Sequence, residues 1–186
     1  NYFIAGVTIG DKSYYMDASS KYGAVNIIPV GCIVENARAV YKDKPGKWVD
    51  LHEIGKGIDV HIVTAQFDEN GVLTGSVIGN SRGVYSMLMC SAYSKKKDQE
   101  EYVDDLKARY KVEISDFEMN GCDDKRLIQQ AFSFENEEIT LGDEYLYINP
   151  MMFYSFKDNA FKAETRKLHI AFPYPYEDMR NVTFQI

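Results

Sequence analysis

Cysteine is sparse, and its spacing excludes more than its count does. Cys32, Cys90 and Cys122 lie far apart with no C-x-x-C pair, so neither a zinc-ribbon nor a dithiol redox motif is present. Their odd number fits a reducing compartment as well as an extracytoplasmic protein that uses few disulfides. No apolar run is long enough to span a bilayer, and no charged n-region leads into an apolar h-region, so no membrane insertion is expected. Basic charge is also short: 21 Lys and Arg stand against 28 Asp and Glu, a net charge of −7. The one dense basic run, Lys95 to Lys97, is followed by acidic residues from Asp98 to Asp105. It reads as a solvated approach to a helix, and no nucleic-acid partner is expected. The H-E-x-x-H, G-x-S-x-G, P-loop and G-x-G-x-x-G patterns are all missing, and no cofactor or metal site is expected.

What is present is apolar and aromatic. The 186 residues are 45% hydrophobic and 13% aromatic, with 14 tyrosines, enough to build a sizeable core in one domain or two small ones. "YFIAGVTIGDKSYYMDAS" predicts a hairpin from Tyr2 to Met16 that turns at Gly10-Asp11, with Asp17 where the return strand leaves the sheet. "KWVDL" predicts a short strand holding the only tryptophan, Trp48. "IDVHIVTAQF" and "VLTGSVIG" predict a second hairpin around Asn70-Gly71, with Gly75, Gly79 and Gly83 punctuating its exit.

"DQEEYVDDLKARY" predicts a helix, with Asp98 and Glu101 at capping-box spacing and Tyr102, Val103, Leu106 and Tyr110 along one face. "GVYSMLMCSAY" fits a helix or a buried strand equally well. "KVEISDF", "QAFSF", "EYLYINP", "LHIAFPYPY" and "NVTFQI" predict further strands. The expected class is α+β, mostly β, with antiparallel or sandwich-like sheets and one or two helices. Both ends read as strands, so the chain is expected to be a segment of a longer parent.

Histidine, the usual base near neutral pH, occurs three times. His61 lies inside an alternating strand and His169 between Leu168 and Ile170, and both read as packed or surface strand residues. His52 follows "WVDL" beside Glu53. The tyrosines suit core and cross-strand packing better than a sugar-stacking face. Asp17 stands apart, because an aspartate closing a hairpin strand has the placement of the third member of a Cys-His-Asp triad, where it orients the imidazole.

Residues 1–51 resemble the last segment of the transglutaminase-like domain in a family of large secreted bacterial proteins labelled cysteine proteases. In that family an Asn-His strand precedes a "D-G-K-x-Y-x-L-D-A-T" return strand, a Pro-containing loop and a terminal "W-V-D-L". The matches are Asn1, Ile4, Asp11, Lys12, Tyr14, Asp17, Ala18, Pro29 and the run Trp48 to Leu51. The later Asn149, Pro150, Asn159, Phe161, Arg166, Phe172, Tyr174 and Pro175 are similar to the family's following β domain, and "ENGVLTGSV" agrees in pattern.

The resemblance implies three units: a C-terminal remnant of the transglutaminase-like domain (1–51), a β-rich α+β middle domain (52–150) and the start of a further β domain (151–186). It implies an extracytoplasmic setting, periplasmic or at the cell surface. It also implies that Asp17 holds the triad-aspartate position. The family histidine falls on Tyr2, however, and the nucleophilic cysteine would lie upstream. A phenol with a pKa of about 10 is a poor base for a thiol. The expectation is a non-catalytic fragment that binds an extended polypeptide or a glycan, or positions neighbouring domains. The alternative is part of an active cysteine protease or acyltransferase whose cysteine lies upstream and whose base is another histidine.

Overall fold

The structure is a computed structural model that describes residues 2–124, 126–140, 148–153, 165, 170 and 172–185, with the backbone alone for 137–140. The expected strand character of residues 144–147 lies outside the described residues, as do Asn1, Asn159, Phe161, Arg166 and His169.

The class is α+β and mostly strand, as the patterning predicts. Strands β1 (Ala5–Ile9) and β2 (Lys12–Met16) form the first hairpin, paired Ala5 to Met16 and Ile9 to Lys12 across the Gly10-Asp11 turn. A second small sheet pairs β3 (Ala37–Ala39) with β4 (Lys47–Val49). There Trp48 stays exposed under the Arg38 guanidinium, 5.1 Å from its ring centroid, while Leu51 is buried.

The main sheet has the order β7-β8-β6-β5-β9, built from β5 (Gly57–Phe67), β6 (Val72–Arg82), β7 (Glu113–Asn120), β8 (Leu127–Thr140) and β9 (Tyr176–Gln185). All neighbours are antiparallel except β5 and β9. The β5–β6 loop turns on Asp68 more than on Asn70. The Asp68 carboxylate accepts from the backbone N–H of Asn70 (2.9 Å) and Val72 (2.8 Å), and Gly71 alone in the loop takes a positive φ, 77°. In β7 a bulge at Asp116 (φ 52°) returns Phe117 to the core face that Ile114 occupies.

Gly75 and Gly79 do not end β6, which runs on to Arg82. Both are interior positions with no room for a side chain: a Cβ at Gly75 would stand 2.1 Å from the Thr64 carbonyl oxygen and 2.8 Å from the Phe134 ring, and one at Gly79 2.7 Å from His61. The strand ends at Gly83, whose φ of 64° brings it within 2.0 Å of the Lys56 carbonyl oxygen for any added Cβ. Helix α1 (Val84–Tyr93) follows at once and buries Val84, Met87 and Cys90, which resolves the ambiguous segment as a helix. Helix α2 (Gln99–Tyr110) has the predicted cap, the Asp98 carboxylate accepting from Glu101 N–H at 3.0 Å, and buries Tyr102 and Leu106.

The main core lies between these helices and one face of the sheet, around Val63, Ala65, Leu73, Val77, Phe132, Phe134 and Phe153. A smaller core gathers Ile28, Ile33 and Leu51 on Val84, the first residue of α1. The expected boundaries at 51 and 150 are thus crossed by shared cores: Leu51 packs on Val84, and Phe153 packs into the main cluster. Tyr176–Gln185, expected in the opening of a further β domain, forms the edge strand of the middle sheet. Its alternation turns Val182 and Phe184 toward the main core. Cys90 and Cys122 form a disulfide that ties α1 to the turn after β7. Its span of 32 residues corresponds to about 3–4 kcal/mol of loop entropy.

The parallel pairing of β9 is fastened by Arg180. Its guanidinium reaches Asp59 Oδ2 at 2.7 Å and the Asp59 carbonyl at 3.0 Å, with side chains only 8% and 13% exposed. Arg180→Met should therefore cost about 3–5 kcal/mol in urea unfolding, with partial recovery in the Asp59→Asn/Arg180→Met double variant. A loss below about 1 kcal/mol, the worth of an exposed pair, would show that solvent carries the charge.

Candidate functional site

Three places gather side chains with chemical potential. The first is the N-terminal hairpin. Tyr2, from the residues before β1, donates its phenol proton to Asp17 Oδ2 at 2.6 Å. Ser19 donates both its backbone N–H (2.9 Å) and its hydroxyl (2.8 Å) to Asp17 Oδ1, and its Oγ lies 2.7 Å from the Tyr2 oxygen. The Tyr2 bond, then Ser19, holds the Asp17 carboxyl below its ordinary value, and the same bond pushes the Tyr2 phenol above its own. Tyr2 is thereby held protonated more firmly than a free tyrosine, with its proton already committed to Asp17.

Cys32 is a free, half-buried thiol, pushed up first by burial and then by the charge of Asp17. A thiol shifted in that direction is protonated near neutrality and is no activated nucleophile. Among the described residues no histidine hydrogen-bonds to Asp17. The hairpin thus brings together the two positions that the resemblance pairs, 2 and 17, but with a phenol in place of an imidazole.

The second place lies beneath the helices at the polar end of the sheet. Pairing sets Arg180, His61, Gly79 and Gln130 in one row across β9, β5, β6 and β8, with Asp178, Asp59 and Ser81 in the next. Ser81 donates to Asp59 Oδ1 at 2.5 Å, so both carboxylate oxygens of Asp59 are occupied. His61 is 5% exposed, its Nε2 is 3.6 Å from Asp59 Oδ2, too far for a hydrogen bond, and neither ring nitrogen has a partner. Gln130 is 4% exposed, and its Oε1 is likewise unpartnered. Burial lowers the His61 pKa, opposed by Asp59 and Asp178 and reinforced by Arg180. A cavity of about 200 Å³ adjoins these groups and is closed by Tyr85, Met89, Tyr102, Tyr110 and Phe153.

The third place is an open groove of about 750 Å³ between the Leu51–Lys56 turn and the approach to β9. Phe172, Tyr174 and Tyr176 give it an aromatic wall, packed edge to face, and Glu35, His52, Glu53 and Lys56 give it a polar rim. Lys56 is also paired to Glu177 at 2.8 Å.

The chain matches no family model, no curated protein and no solved structure. Among the described residues no three His, Cys, Asp or Glu side chains converge as a metal site would need, and no helix is long and apolar enough to cross a membrane.

Sequence reasoning places His61 on a strand, where it is indeed packed, but it does not reach Asp59, Gln130, Asp178 or Arg180. The D-x-H spacing in β5 does put Asp59 and His61 on one face. Their partners come from strands whose register no local pattern gives. The aromatic wall was legible only as turn-flanking tyrosines.

Two titrations follow. His61 binds protons more weakly folded than unfolded, so its contribution to stability is present above about pH 6.5 and is lost as pH falls through the folded value. The urea midpoint should fall on acidification below that point, and His61→Phe should flatten the fall; equal slopes would place the imidazole in solvent. In Tyr2→Phe the largest cause of the low Asp17 value disappears. Its carboxyl carbon shift, followed by NMR, should then titrate nearer the ordinary aspartate value, with the Ser19 bonds retaining part of the shift.

Proposed function

We propose that this chain is a non-catalytic binding segment of an exported bacterial protein with a transglutaminase-like arrangement, and that its ligand is a glycan held in the aromatic groove. The observation that carries the non-catalytic reading is the Tyr2 phenol seated on Asp17. It occupies the face of the carboxylate where an orienting bond to an imidazole would be made, and it offers the neighbouring thiol no base. The half-buried Cys32 with its raised pKa supports the same reading.

The groove supports the ligand class. Phe172, Tyr174 and Tyr176 present ring faces and edges that suit the C–H faces of a pyranose, while Glu35, Glu53 and His52 accept or donate to hydroxyls. The Cys90–Cys122 disulfide supports a periplasmic or cell-surface setting, because such bonds persist in oxidising compartments.

A second reading has its own observation. All five residues of β1 are exposed and β1 pairs only with β2, so its outer edge offers a template for an extended polypeptide to add as a strand.

Calorimetric titration with cello-, chito-, malto- and xylo-oligosaccharides tests the glycan reading. At least one series should bind, and Phe172→Ala or Tyr176→Ala should weaken it about tenfold or more. No binding in any series, or binding indifferent to both variants, would overturn it. Labelling the full-length parent with a thiol-reactive electrophile tests the absence of catalysis: labelling should be uniformly slow, whereas an upstream cysteine of depressed apparent pKa would establish an active enzyme.

A further inference from the structure

The groove does not account for the cavity behind it. Two nearly sealed side chains, His61 and Gln130, face each other across Gly79, and both carry polar atoms with no partner. Buried polar groups are almost always satisfied, so such a pair marks a place where something else supplies the bonds. Gly79 is what opens the space, since any Cβ there would fall against the His61 ring.

The chemistry of the missing group can be read from what it must satisfy. Gln130 Oε1 needs a donor, and a neutral imidazole needs one donor and one acceptor. A hydroxyl can do both at once. The surrounding charges balance, with Asp59 and Asp178 facing Arg109 and Arg180, so an ion gains little there. The opposite walls are rings: Tyr85, Tyr102, Tyr110 and Phe153. Burial pushes the Tyr102 phenol to about 12, which keeps it neutral. An apolar cavity of about 150 Å³ admits a benzene ring, so the volume of about 200 Å³ suits one six-membered ring with small substituents.

We propose that this cavity binds a single neutral saccharide unit, with one hydroxyl bridging His61 and Gln130 and the ring faces against the tyrosines. Access is at the exposed Arg109 and past Tyr85. Tyr85 also packs on Tyr174 and Tyr176, at centroid distances of 5.9 and 6.5 Å. That ring lines the cavity and packs on two rings of the groove wall, and the Tyr174 phenol is raised first by burial and then by Asp178, which lines the cavity. The unit is therefore the end of a chain lying in the groove. Only this last statement rests on the glycan reading above; the cavity's preference for a polyhydroxylated ring does not.

Titration with glucose, galactose, mannose and N-acetylglucosamine, followed by saturation-transfer NMR and calorimetry, tests the proposal. At least one should bind in the millimolar range, competing with the oligosaccharide that fills the groove. Gln130→Met keeps the volume and removes the unpartnered acceptor, so it should fold with unchanged stability and yet weaken the monosaccharide at least tenfold. His61→Phe should do the same. Tyr176→Ala should leave the monosaccharide within twofold while weakening oligosaccharides. Absence of monosaccharide binding, or binding that Gln130→Met and His61→Phe leave intact, overturns the proposal, and oligosaccharide binding that persists in either case leaves the groove reading standing. Monosaccharide binding without competition from the oligosaccharide would overturn the continuity of the two sites.

Discussion

The Arg180–Asp59 pair governs how the sheet is closed and what its interior can do. β9 is joined to β5 in parallel, and at its polar end that junction rests on a guanidinium that reaches both the carboxylate and the carbonyl of one residue. A buried ion pair needs further hydrogen bonds to its remaining polar atoms, and here Ser81 donates to the other carboxylate oxygen. His61 next to it stands 3.6 Å from Oδ2, beyond hydrogen-bond reach, and burial favours its neutral imidazole. The polar cavity thus adjoins the tie that holds the edge strand.

The same sheet is divided along its strands. Toward one end Val63, Ala65, Leu73, Val77, Phe132 and Phe134 form a dry core with Phe153. Toward the other end, Asp59, His61, Ser81 and Gln130 replace them at the same inward-facing positions. Helix α1 spans both regimes: Val84 anchors the N-terminal segment, and Tyr85, its neighbour, stands between groove and cavity. The groove and the cavity therefore depend on how the first turn of α1 is seated, which Gly83 sets.

The N-terminal hairpin shows how a short turn places two distant polar side chains together. The return strand delivers Asp17 beside Tyr2. The group it meets there is a phenol, which donates to the carboxylate and lowers its pKa.

Local pattern determined a good deal by itself. Both hairpins, the capped helix at Gln99–Tyr110 and the mostly-β class follow from turn residues, alternation and the Asp98 cap, all of which act over a few neighbouring residues. The pairing of positions 2 and 17 was legible for the same reason, since a two-residue turn fixes the register of everything beside it. The segment at Val84–Tyr93 could not be decided locally, because an apolar run suits either a helix or a buried strand until Gly83 and the neighbouring core choose. Gly75 and Gly79 look like breaks in a strand and prove to be clearances for groups brought by other strands, the Thr64 carbonyl and the Phe134 ring at one and the His61 ring at the other. The partnership of Cys90 with Cys122, the parallel seat of β9, and the meeting of Arg180, Asp59, His61 and Gln130 join residues far apart in the chain. Only the tertiary structure decided these, because their register is set by burial against a common core, and no short stretch of sequence contains that information.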